Sequence, residues 1–281
     1  MDTVSNVIYF VEKVKRVSKR IEVEKVKTLF RTIIDFSVND FKKKYSGSAL
    51  GIAWAYIQTI MLVLVYWCVF QFGLRVGGAN GLPFLAWFIA GYMPWMLFAD
   101  IISSSVGCMS EYSYIVKKIV FNVNIIPISK IMGCLFVHVV FLGIVFVIAF
   151  AYGIFTGIYL LQVFYYFIAL LLLVIPLAFL CASVSVFFKD FAQGIGIVLN
   201  ILMWATPIVW DFSMVPEHLQ LLFKINPMFY VIDGFRKSIL YGTSMFDNIY
   251  NGIYFWIVVA LLWIKCMKIY RDLVPHMADV L

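Results

Sequence analysis

The chain has 281 residues, 64% of them hydrophobic and 13% charged, with a mean hydropathy of +0.97, whereas soluble domains are about half apolar and about a quarter charged. This excludes a soluble globular domain, intrinsic disorder, a collagen-like fibre and, with only 5 cysteines, a disulfide-stapled secreted module. The net charge of +7 lies beside apolar runs, so a membrane surface rather than nucleic acid is the expected partner.

Residues 1–48 are read as a cytoplasmic N-terminal segment. Half of the 22 lysines and arginines lie there, ahead of the first long apolar run, which predicts no cleavable signal peptide. From Val26 to Phe41, apolar residues recur at three- and four-residue steps, while Lys27, Arg31 and Asp35 hold another face. That pattern predicts an amphipathic helix lying on the cytoplasmic leaflet or packing on another subunit. Lys42, Lys43 and Lys44 follow, placed to snorkel toward anionic headgroups.

Six runs have the roughly 20 apolar residues that a hydrocarbon core of about 30 Å requires. They are Ala49–Leu74, Leu82–Met109, Ile131–Tyr152, Val163–Phe188, Phe191–Trp210 and Gly252–Met267, so the expected fold is an all-α integral membrane protein with six transmembrane helices over 49–270. Period-2 alternation, the mark of a membrane barrel, is absent. Counted loop by loop, 18 of the 22 Lys and Arg fall on the N-terminal side of the membrane and 4 on the other, which puts both termini in the cytoplasm. Residues 271–281 are then a cytoplasmic tail.

The first two spans are dense in aromatics: Trp54, Tyr56, Tyr66, Trp67 and Phe70, then Trp87, Phe88, Tyr92, Trp95 and Phe98. Interfacial belts account for some of them. At mid-depth, rings with apolar faces and hydrogen-bonding tips suit a sugar polymer sliding past, and Trp54, Tyr56, Tyr66, Trp67, Phe70, Tyr92 and Trp95 are candidate channel-lining residues. Asp100 is the one carboxylate well inside a span, close to Ser103, Ser104 and Ser105. His138 in the third span has no carboxylate in that span and is expected to hydrogen-bond inside the bundle.

Between the second and third spans, residues 111–127 read EYSYIVKKIVFNVNIIP. A short helix there offers Ile115, Ile119 and Phe121 for contact beside Lys117 and Lys118, and it is a candidate segment for receiving force from a soluble motor. The last external stretch, 211–251, holds apolar pieces of 7 to 13 residues around Asn226-Pro227. They are too short to span and too apolar for water, which predicts re-entrant or interfacial half-helices and a gate region around Asn226, Pro227, Tyr230 and Arg236. No phosphate loop, paired-cysteine metal spacing, nucleophile elbow or zinc-protease helix occurs, so no catalytic residue and no metal site is expected. The five cysteines are scattered along apolar spans and read as packing residues. A secondary transporter calls for facing ionisable groups and an internal repeat; a lipid-carrier glycosyltransferase needs a large polar loop with carboxylates. Neither pattern is visible.

The run DFKKKYSGSALGIAW from Asp40 to Trp54 resembles the start of the permease subunit of type-2 ABC transporters that export polysaccharides, the O-antigen, capsule and teichoic acid exporters. Lys44, Tyr45, Ser46, Ser48, Leu50, Gly51 and Trp54 carry the likeness. IVKKIVFNVNIIPIS from Ile115 to Ser129 is similar to the family's coupling segment, with Phe121-Asn122 where a Phe-Pro pair is usual. FKDFAQ at Phe188–Gln193, ATPI at Ala205–Ile208 and INPMFYVIDGFRKSIL at Ile225–Leu240 resemble further family motifs in order. The resemblance implies a homodimer in the bacterial cytoplasmic (inner) membrane, docked on two copies of an ATPase subunit that binds the ATP and magnesium; this chain carries no cofactor. It implies that Ile115, Lys117, Lys118 and Phe121 couple the ATPase to the membrane domain. It further implies that a glycan linked to undecaprenyl diphosphate passes a channel at the dimer interface, and that Lys42, Lys43 and Lys44, with Arg31 and Tyr45 nearby, meet the diphosphate. A drug- or lipid-exporting permease of the same class is the nearest alternative.

Overall fold

The computed structural model describes residues 24, 27–75, 81–117 and 122–281, and all regular structure among them is helical. Helix α1 covers 27–44. Helix α2, Ala53–Cys68, runs on into a π-turn, Val69–Gly73. Helix α3 is Phe84–Ser105, followed by two single turns, α4 (Cys108–Glu111) and α5 (Ser113–Val116). Helices α6 (Ile125–Ala151), α7 (Gln162–Phe187, entered through a 3-10 turn at Gly157–Leu161) and α8 (Phe191–Ala205) come next. The short α9 (Glu217–Lys224) and α10 (Pro227–Arg236, ending in a π-turn at Lys237–Tyr241) precede the last helix, α11, Ile249–Val280.

Five elements are long and apolar enough to cross a membrane: Ala53–Gly73, Phe84–Ser105, Ile125–Ala151, Gly157–Phe187 and Ile249–Val280. The chain is an integral membrane protein. Helix α8, expected as a sixth span, has 15 residues, about 22 Å of helix against a core of about 30 Å. It stops because Thr206, extended at φ −103° and ψ 136°, precedes Pro207, whose ring disfavours helical geometry before it. Helix α6 starts six residues before the expected run, since Pro127 falls in its first turn, where a missing N–H has no intrahelical partner to lose. Helix α11 continues through 271–280, the expected tail, because Cys266, Tyr270 and Met277 keep one face buried.

Helix α3 is the centre of the bundle: 78% of its most apolar stretch is covered by other helices, against 17% for α2. It packs on α6, α7 and α10, while α7 also packs along α11. Helix α8 has no buried residue at all. Pro176 inside α7 removes the N–H that would bond the Leu172 carbonyl. The indole N–H of Trp263 on α11 donates to that carbonyl at 2.7 Å, so the broken rung is repaired from the neighbouring helix. Trp263→Phe leaves the carbonyl without a donor, and a loss of about 1–3 kcal/mol is expected. A lowered unfolding midpoint of the protein in nanodiscs, with Trp256→Phe and Trp263→Phe compared side by side, checks this.

Candidate functional site

The C-terminal half of α1 docks on the bundle instead of only lying on lipid. Phe36 meets the Tyr112 ring at 5.0 Å, Phe41 meets Phe136 at 5.9 Å, and Ser37 is fully buried. Asp40 is the polar anchor. It accepts from Lys130 Nζ at 2.9 Å and from the Tyr112 hydroxyl, and Lys130 also reaches Glu111 Oε2 at 2.8 Å. Burial, then the bond to Asp40, raises the pKa of the Tyr112 phenol above its ordinary 10.0, which keeps it a donor to the carboxylate at neutral pH.

Between α1, α2, α3 and α6 lies a cavity of about 730 Å³. One face of α6 supplies Lys130, Cys134 and His138 at successive four-residue steps. Helix α3 answers with Ser104 and Asp100, again four residues apart. The two helices meet in polar rungs: Ser104 Oγ lies 3.3 Å from Cys134 Sγ, and Asp100 Oδ2 lies 3.4 Å from His138 Nε2. Gln58 and Thr59 of α2 and Tyr92 and Trp95 of α3 line other walls, and Lys43, Lys44 and Tyr45 stand at the α1 side. Aromatic faces, hydroxyls, cations and carboxylates thus converge on one space at membrane depth, a mixture that hydrocarbon does not tolerate unless protein or water fills it.

The residues singled out from the sequence separate into groups. Lys43, Lys44, Tyr45, Tyr92 and Trp95 meet at the cavity, while Lys42 and Arg31 are exposed on α1 outside it. Tyr66 of α2 and Phe70 of the π-turn after it join Phe84, Phe88 and Tyr92 of α3 in a ladder of rings with centroids 4.8 to 6.3 Å apart. Tyr56 packs on Phe141, Trp67 on Phe72, and Trp54 is exposed on the uncovered face of α2, where it borders a shallow groove with Met61 and Val65. Ile115 is half-buried and Lys117 exposed at α5; Lys118 and Phe121 lie outside the described residues.

At the other end of the bundle, the Asn226 side chain caps α10 by accepting from the Met228 N–H at 3.0 Å, with Pro227 at the start of the helix. Its amide also donates to Thr206 Oγ1 at 2.8 Å, tying the cap to the turn after α8. Tyr230 stacks on Phe255 at 4.7 Å, and its hydroxyl lies 3.1 Å from that of Tyr165, which accepts from the Trp256 indole at 2.9 Å. Arg236 is buried and donates to the carbonyls of Trp87 (3.3 Å), Pro207 (2.6 Å) and Ile208 (2.6 Å), with its guanidinium 3.7 Å from the centre of the Trp87 ring. Two features escaped the sequence reading: Asp40 and Lys130 as an anchor, and Asp100 as the partner of His138. The signal for the second was present, in D-x-x-x-S on one span and C-x-x-x-H on another.

The profile of the ABC-2 type transporter family matches residues 34–240. Among similar proteins is one from Klebsiella pneumoniae named O-antigen export system permease protein RfbA, 25% identical over 261 residues, which are 90% of this chain and 96% of that one. A protein of the same name from Myxococcus xanthus is 24% identical over 241 residues, 82% of this chain and 88% of its own. The profile match takes in α2 to α10, with the cavity, the capped α10 and most of α1, and the chain belongs to the ABC-2 type transporter family.

Proposed function

We propose that this chain is the channel-forming membrane subunit of an ATP-driven exporter that carries a lipid-linked polysaccharide outward across the cytoplasmic membrane. The observation that carries this reading is the similarity, over 82% to 90% of the chain, to proteins named for O-antigen export. The working unit is a homodimer on two copies of a separate ATPase subunit, which binds the ATP and magnesium. Support for the dimer comes from α2 and α8. Gln193, Gly196 and Asn200 share an exposed face of α8, and Gln58 is exposed on α2. Polar faces at membrane depth call for protein or water beside them, and a second copy supplies both by enclosing a channel.

In this reading 49–270 is the membrane domain, with α8 and residues 206–210 together making the sixth crossing. Helices α9 and α10, within 211–251, form the external re-entrant region, and both termini are cytoplasmic. Lys43 and Lys44 at the mouth of the cavity offer point charges to a diphosphate, and Tyr92, Trp95 and Trp54 offer ring faces to sugars. The segment 111–127, with Ile115 and Lys117, receives the motion of the ATPase.

Depletion of the chain in its host tests the reading. Surface polysaccharide is expected to fall while glycan bound to undecaprenyl diphosphate accumulates inside. If both pools stay normal the polysaccharide reading fails, and a drug or lipid exporter of the same architecture replaces it.

A further inference from the structure

Asp100 and His138 face each other from α3 and α6 in the wall of the cavity, Oδ2 to Nε2, at 3.4 Å. The second ring nitrogen, Nδ1, lies 3.0 Å from the Cys134 carbonyl one turn back along α6. A carbonyl only accepts, so Nδ1 carries a hydrogen, and in the neutral ring Nε2 is left with a bare lone pair. An ionised carboxylate is likewise an acceptor only. Nε2 is sealed from anything the size of water and has no hydrogen-bond partner, in a residue that is 1% exposed. Two acceptors face each other, one of them closed to every larger ligand, and what fits between them is a proton. The Asp100 side chain, 53% exposed, gives that proton a path from the cavity.

We propose that Asp100 and His138 together form a single-proton binding site that clasps α3 to α6. With the proton bound, the pair is a net-neutral hydrogen bond between the two helices. Without it, two lone pairs oppose each other and the cavity wall gains one negative charge. The clasp is therefore full below the midpoint of the pair and is lost as pH rises through it. The ionisable groups around it are Asp40, Lys43 and Lys44 from α1 with Tyr45 just after it, Tyr92 from α3, Glu111 from α4, and Lys130 and Cys134 from α6; α2 presents Gln58 and Thr59, and α7 has no charged residue. Lys130 is already held by Asp40 and Glu111, so Lys43 and Lys44 are the cations left to face the cavity.

The test is nitrogen NMR of the full chain in lipid nanodiscs with labelled histidine, a readout that does not involve transport. The chain has 3 histidines, and the signal lost in His138→Gln assigns His138. The expected result is a single step at Nε2 of His138 between about pH 5 and 8. Asp100→Asn, which removes the charge that favours the imidazolium, moves that midpoint down by more than about one pH unit, a tenfold change in proton affinity. A ring that stays protonated across the range and gives up its proton only in Asp100→Asn counts the same way. If Nε2 of His138 keeps the shift of a bare lone pair throughout with Asp100 intact, neither protonated nor accepting a bond from a protonated Asp100, the proposal is overturned by the unaltered protein alone. A midpoint that Asp100→Asn leaves within about 0.3 unit overturns it as well.

Discussion

Arg236→Met is expected to lower the unfolding midpoint of the purified protein by roughly 10 °C, and Arg236→Lys to recover less than half of that loss. The guanidinium donates to three carbonyls from two separate stretches of chain, Trp87 on α3 and Pro207 and Ile208 after α8. Methionine fills much the same volume and donates nothing, so these carbonyls, buried with residue 236 at 6% exposure, lose their donors. Hydrogen bonds to a charged donor contribute about 1.5–3 kcal/mol each. Loss of the two short bonds, to Pro207 and Ile208 at 2.6 Å, at roughly 2–4 °C per kcal/mol for a chain of this size, gives the stated shift. Lysine keeps the charge but replaces a planar fork by a compact ammonium, which cannot reach carbonyls set apart on α3 and the turn while lying flat over Trp87. Gly91→Ala probes the same clamp from the other side, because a Cβ there meets the guanidinium at 2.7 to 2.9 Å. It is expected to be destabilising in the wild type and close to neutral on the Arg236→Met background. Thermal unfolding in nanodiscs followed by tryptophan emission measures all four; a midpoint for Arg236→Met within about 2 °C of the parent would show that the clamp contributes little.

How legible this protein was depended on whether a feature was local in the chain. Apolar runs marked the spans, and Asn226-Pro227 marked the start of α10, because capping chemistry is written in adjacent residues. Boundaries failed where hydropathy averages over a helix with two unlike faces. Lys265, Lys268, Arg271 and Asp272 suggested an end near 267, yet Cys266, Tyr270 and Met277 on the opposite side are buried, and Tyr270 donates to Asn124 Oδ1 at 2.8 Å. The cavity was harder still. Asp100 lies five residues from the end of α3, about 8 Å, while His138 lies thirteen residues into α6, about 20 Å. They meet because α6 begins well beyond the level at which α3 ends, a difference in depth that no single segment records. Likewise Asp40 read as the first letter of a basic run, and only the packing of α1 on α4 and α6 gives it Lys130 and Tyr112.

That anchor makes the second large prediction. Lys130→Met is expected to release α1 from the bundle without unfolding the spans. Lys130 and Asp40 have side chains 12% and 10% exposed, and removing one partner of such a pair strands the other charge at about 3–5 kcal/mol. The loss falls on docking rather than on the whole fold, because α1 is otherwise held by apolar packing of Phe36 and Phe41 around the buried Ser37, beside the half-buried Ile33, Ile34 and Val38, while Leu29 and Phe30 near its start are exposed. Hydrogen exchange of the amides over 33–41 in nanodiscs is expected to speed up by roughly a hundredfold or more, while α3 and α7 keep their protection. Asp40→Asn should cost less, since the amide oxygen still accepts from Tyr112 and Lys130 keeps Glu111. The double variant Asp40→Asn with Lys130→Met should exchange more slowly than the sum of the single effects predicts, because no buried charge is then left alone. Raising the salt concentration should mimic these variants only weakly, as a pair 12% and 10% exposed is screened much less than an exposed one. An exchange rate over 33–41 that follows salt, or that Lys130→Met leaves unchanged, would mean that the apolar contacts alone hold α1 in place.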